Sequence, residues 1–119
     1  MDLNSFLEYN AHKKGVEETF PFNETTLVLK VMGKMYALTN IHEIPMRINL
    51  KCDPNRSIEL RENHPEIIPG FHMNKKHWNT IIVGEGNLDQ KLIYELIDHS
   101  YELVVKSLTK AKREELSQL

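Results

Sequence analysis

The sequence predicts an α+β domain: a two-layer sandwich in which a mainly antiparallel four-stranded sheet carries helices on one face. Three observations predict it. Residues 46–52 alternate apolar and polar side chains without a break, Met46-Arg47-Ile48-Asn49-Leu50-Lys51-Cys52, the period of a strand with one face buried and one wet. Ile93, Leu96, Ile97, Tyr101 and Val104 recur at helical spacing, which marks a long amphipathic helix. Three strand-like segments follow one another and a fourth comes only after a helix, the order of an α+β chain.

The elements follow in turn. A first helix is expected over Leu3–Lys13, with Leu3, Phe6, Leu7 and Ala11 on one face, Asp2 as cap and Gly15 as terminator. Val16–Thr25, broken by Pro21, reads as loop. Leu27–Met32 and Met35–Asn40 are rich in strand formers, and Gly33-Lys34 between them suits a type II′ hairpin turn. The alternating strand Met46–Cys52 comes next. Asp53-Pro54 then supplies an N-cap and a proline at the first helical position of a short helix to about Asn63, ended by Pro65. The chain from there to Asn74 reads as irregular. Trp78–Val83 is the fourth strand, Asp89 caps the long helix to about Leu108, and Lys110–Leu116 adds a final helical turn or two.

Composition bounds the class. The chain has 119 residues, 40% of them hydrophobic and 27% charged, the balance of one ordinary globular domain spanning 1–119. Cys52 is the single cysteine, so neither an internal disulfide nor a cysteine metal cage can form. No apolar run approaches the ~20 residues that cross a bilayer, and a cytoplasmic monomer is expected. The formal charge of −2 argues against a uniformly nucleic-acid-attracting surface. The middle of the chain is nonetheless basic: residues 30–77 hold eight Lys or Arg against five Asp or Glu.

That pattern has a functional consequence. If helices cover the face bearing Ile48 and Leu50, then Arg47, Asn49 and Lys51 project from the other, where Lys30 joins them if the registers match. Cations and an amide on an open sheet could meet phosphates and base edges; the same residues are also ordinary occupants of a solvated sheet surface. The run His72-Met73-Asn74-Lys75-Lys76-His77-Trp78-Asn79 concentrates further candidates. His72, Asn74, Lys75, Lys76 and His77 offer polar contacts, and Trp78 is either a core anchor or an indole exposed to stack on a base.

Asn49-Leu50-Lys51-Cys52-Asp53-Pro54, Glu59-Leu60-Arg61 and the block from Pro69-Gly70-Phe71 through Asn79 occur in an order and spacing that resemble the MmcQ/YjbR family of small bacterial proteins. The resemblance covers nearly the whole chain. It implies a compact α+β domain of the type called CyaY-like or double-wing, and a DNA-binding role by analogy with a double-wing domain of a phage transcription factor. Fold analogy does not fix function. Carried over by residue, Lys51, His72, Asn74, Lys75, His77 and Trp78 are the positions it marks.

Other chemistry is poorly supported. Six histidines are present, yet no HExxH, paired cysteine or His-carboxylate spacing suits zinc. An iron-handling role needs a ridge of carboxylates, and Asp2 and Glu8 on the first helix are too sparse for one. There is no phosphate loop, GxSxG elbow or dinucleotide fingerprint, and Cys52 sits on the apolar phase of its strand as a structural thiol. The expectation is a non-catalytic module without cofactor or metal. It binds DNA through Lys30, Arg47, Asn49, Lys51 and the 72–79 loop, or else binds a protein or small anionic ligand with the same surface.

Overall fold

The computed structural model of the chain describes residues 1–70, 73–84 and 88–119. Among them run α1 (Leu3–Ala11), β1 (Val16–Thr19), β2 (Thr26–Val31), β3 (Lys34–Asn40), β4 (Arg47–Lys51), α2 (Pro54–Asn63), β5 (Ile67–Pro69), β6 (Trp78–Ile82), α3 (Gln90–Ser107) and α4 (Lys110–Ser117). The strands form an antiparallel sheet in the order β1-β2-β3-β4-β6-β5, with helices packed on it. The α+β class stands, but the sheet has six strands, not four.

Both added strands lie at the sheet's edges, where the sequence signal is weakest. β1, Val16-Glu17-Glu18-Thr19, was expected as loop; it pairs with β2 from Val16↔Val31 to Thr19↔Val28. β5 has three residues and ends in Pro69, which an edge tolerates because a proline there need donate to no neighbour. It pairs with β6 from Ile67↔Ile81 to Pro69↔Asn79.

The hairpin between β2 and β3 also departs from expectation. Val31 pairs with Lys34, so the loop is Met32-Gly33 rather than Gly33-Lys34. Met32 has φ 50° and Gly33 φ 83°, the two left-handed residues of a type I′ turn. One residue of slip changes which side chain must adopt a conformation that L-residues avoid.

Helix ends follow the local chemistry. Asp2 accepts from Ser5 N–H at 2.8 Å while Ser5 Oγ accepts from Asp2 N–H at 3.0 Å, a reciprocal cap. Asp53, Asp89 and Thr109 cap α2, α3 and α4.

The core fills one side of the sheet. Leu29, Ile48, Leu50 and Ile81 from the strands meet Phe6 of α1, Leu60 of α2, Leu96, Ile97 and Val104 of α3 and Leu116 of α4. A bulge in β3 shapes this layer. Leu29 pairs with Ala37 and Lys30 with Met35, leaving Tyr36 as the extra residue. A bulge re-aims the side chain it inserts: Tyr36 turns into the core with no exposure and donates its hydroxyl to Asn10 Oδ1 at 2.9 Å. Its carbonyl loses the ladder partner on β4. The Ser100 hydroxyl of α3 fills the gap, donating to Tyr36 O at 2.6 Å and accepting from Lys51 N–H at 2.9 Å.

Candidate ligand site on the uncovered sheet face

Alternation along each strand fixes what faces the other way. With Leu29, Ile48 and Leu50 in the core, the opposite face carries Val28 and Lys30 of β2, Met35 and Leu38 of β3, Arg47, Asn49 and Lys51 of β4, and Trp78 and Thr80 of β6. No helix covers this face among the described residues. Arg47, Asn49 and Lys51 thus project where the sequence reading put them, and the register does bring Lys30 onto the same face.

Three of the expected contacts are changed by their neighbours. Lys30 lies opposite Glu17 across β1 and β2. Arg47 Nε is 3.3 Å from Glu43 Oε1, both side chains about two-fifths exposed. Trp78 is only 9% exposed and packs with Val28 and Leu38 in a small second cluster, against which Met35 and Met73 rest. The indole is an anchor of this face. The alternative of an exposed ring free to stack on a base is not what the structure has.

The turn before β6 is braced internally. Asn74 Oδ1 accepts from Lys76 N–H at 2.9 Å and its carbonyl accepts from Trp78 N–H at 2.9 Å, so Asn74 is turn chemistry. The half-buried His77 lends its carbonyl to Cys52 N–H at 2.8 Å. Lys75 and Lys76 are exposed. His72 lies outside the described residues. Arg61, quoted in the sequence motif without a role, holds this turn in place: its Nε donates to Asn79 Oδ1 at 2.7 Å and its Nη2 to the carbonyls of Lys75 and Trp78. Asn79 in turn donates to Ser57 Oγ at 3.1 Å. Gly70 is a glycine because a Cβ there would stand 2.8 Å from Trp78 Cβ, closer than real carbons pack.

Cys52 lies in the core at 3% exposure. Burial pushes its thiol up from the ordinary value, away from the thiolate that nucleophiles and metal ligands need. Among the described residues no group of three or more His, Cys, Asp or Glu side chains is placed to hold a metal ion, and no helix is long and apolar enough to cross a membrane.

What sequence reasoning missed is a concavity. Between the β1–β2 loop, the β3–β4 loop and the uncovered face lies a hollow of about 660 Å³. Met35, Leu38, Met73 and Phe22 give it apolar walls; Arg47, Asn49, Asn40 and Glu43 give it polar ones. Its apolar members come from three separate stretches of chain, and no local pattern unites them. The phase of β3 could have found part of it, since Leu38 falls on the face turned away from the core.

Comparison with known proteins agrees with this fold. The YjbR family model matches residues 11–103. The chain is 41% identical over 96 residues to the uncharacterized protein YbdF of Escherichia coli O157:H7, covering 80% of this chain and 77% of that one. It is 32% identical to the uncharacterized protein YjbR of Escherichia coli K12 over all of both chains. The crystal structure of Deinococcus radiodurans protein DR2400 superposes with a TM-score of 0.91 at 44% identity, covering 98% of this chain and 88% of that one. On match, length and fold together, the chain belongs to the YjbR family.

Proposed function

We propose that this protein is a non-catalytic binding module whose uncovered sheet face receives a small organic ligand. One observation carries the reading: the hollow on that face has the size of a ligand site, about 660 Å³, with apolar walls and a few polar groups converging on it. Sites of roughly 300–1,000 Å³ with that division of labour are the usual form of small-molecule pockets. Two methionines in the walls, Met35 and Met73, add the adaptable lining that accommodates irregular ligands. The test is a fragment screen on ¹⁵N-labelled protein. Shifts clustering on Leu38, Asn49 and Thr80 are expected; fragments that perturb only the helical layer, or none at all, would refute it.

A second reading, DNA binding through the double-wing arrangement that the family resemblance implies, is favoured by a different observation. Lys51 lies opposite Trp78 across β4 and β6, a few residues from exposed Lys75 and Lys76, and none of the three has an acidic partner among the described residues. Duplex affinity should then fall with salt by a slope of roughly 0.9 per phosphate engaged. Lys75→Ala with Lys76→Ala should reduce that slope by about 2 and leave the thermal midpoint nearly unchanged. Equal duplex affinity for wild type and double mutant would remove this turn from any DNA site.

A further inference from the structure

The polar wall of the hollow is rich in hydrogen-bond donors. Three asparagines border it, and the side-chain oxygen of each is already engaged within the protein. Asn49 Oδ1 accepts from the Thr80 hydroxyl. Asn40 Oδ1 accepts from His42 N–H at 3.0 Å, and Asn23 Oδ1 from the N–H groups of Thr25 and Thr26 at 2.9 and 2.7 Å. Each also carries an NH₂, a donor of two hydrogens. Arg47 adds a guanidinium, which only donates. Among the described lining residues a single carboxylate faces these donors, Glu43, and it is bound to Arg47 at 3.3 Å.

A wall of donors beside an apolar floor selects for an oxyanion on a hydrophobic body. A guanidinium prefers a planar carboxylate, which can take two parallel N–H bonds. We infer that Glu43 occupies, in the free protein, the place of a ligand's head group, and that the ligand is a small organic carboxylate with an aryl or acyl body. It displaces Glu43 from Arg47 as its body enters between Met35 and Leu38. This rests on the reading of the uncovered face as a small-molecule site and adds the charge of the ligand and an intramolecular competitor for it. Because the Arg47–Glu43 pair is exposed, the competition is mild: such pairs contribute about 0.2–1 kcal/mol, a roughly 1.4- to 5-fold penalty on ligand affinity.

Three probes sharing one body separate the ideas: 2-naphthoate, its neutral amide and the corresponding naphthylmethylammonium. Each is titrated into ¹⁵N-labelled full-length wild type, Glu43→Gln and Arg47→Gln. The expected result is that naphthoate binds wild type most tightly, moving the amides of Leu38 and Asn49 and the Arg47 Nε–H resonance. Glu43→Gln should tighten it by roughly 1.4- to 5-fold and leave the amide probe unaffected, while Arg47→Gln abolishes the preference for carboxylate over amide. If the amide or ammonium probe binds the same face more tightly, or Glu43→Gln weakens naphthoate, the assigned charge is wrong although the site stands. If no probe moves the open-face amides, or a short duplex or a peptide moves them and naphthoate does not, the small-molecule reading falls and takes this inference with it.

Discussion

Ser100→Ala should destabilise the protein far more than the loss of one hydroxyl from a helix ordinarily does. The Ser100 side chain, wholly buried on α3, is a rung of the sheet: it receives the Lys51 N–H and donates to the Tyr36 carbonyl where the β3 bulge has separated those two groups. Alanine leaves both backbone groups without a partner. A buried polar group left unpaired costs about 1–3 kcal/mol; Tyr36 is fully buried while Lys51 is half-exposed, so the pair together costs about 2–4 kcal/mol. Alanine is the better helix former by about 0.5 kcal/mol, which leaves a net loss of about 1.5–3.5 kcal/mol. With a urea slope of about 1.5 kcal/mol per molar, the midpoint should fall by roughly 1–2 M at constant slope. Hydrogen exchange supplies the local readout, because the Lys51 amide should lose protection beyond the global change. A loss under about 0.5 kcal/mol, with the Lys51 amide still slow to exchange, would show that Ser100 does not close the ladder.

Other expectations are as direct. Met32→Asn should stabilise the hairpin by about 0.5–1 kcal/mol, since Asn-Gly is the preferred I′ pair and Met32 sits at positive φ; a lower thermal midpoint would contradict this. Trp78→Ala should cost about 3–5 kcal/mol by emptying the cluster around Val28 and Leu38, with blue-shifted wild-type indole emission as the accompanying check on burial. His99 should make the fold acid-sensitive. Burial first and Arg56 second hold its imidazole below the ordinary value, and its Nε2 accepts from Asp53 N–H at 3.2 Å. The unfolded chain therefore takes up the proton first, so the stabilisation is present above about pH 6.5 and is lost as pH falls through the folded-state value. His99→Gln should flatten the decline in thermal midpoint between pH 7 and 5.5, and an unchanged decline would exclude His99 as its cause.

Much of this fold was legible because its central elements carry unambiguous periods. The alternation around Ile48 and Leu50 placed Arg47, Asn49 and Lys51 on the uncovered face correctly, and Asp2, Asp53 and Asp89 announced three helix starts. The edges were not legible. β1 is two glutamates between a valine and a threonine, and β5 is three residues closed by proline; neither is long enough for a period to emerge. The bulge at Tyr36 and the slip at Met32-Gly33 were hidden for a related reason, since both are settled by pairing between strands and not by either strand alone.

The site was half visible. Lysines, asparagines and a tryptophan crowded into residues 74–79 drew attention to that turn, and its side chains turned out to divide between presentation and construction. Asn74, Trp78 and Asn79 build it, while Lys75 and Lys76 are what it displays. Glu43 could not be found from sequence, because its meaning comes from standing beside Arg47 at the mouth of a hollow walled by distant segments.

The two borders of the sheet also bear on how the protein meets copies of itself. On one side an incoming chain would have to lie against the paired negative charges of Glu17 and Glu18, and on the other it would run into Pro69 within three residues. Neither border offers the long, flat, uncharged template along which polypeptides zip into fibrils. Self-association by strand addition is thereby discouraged at both flanks.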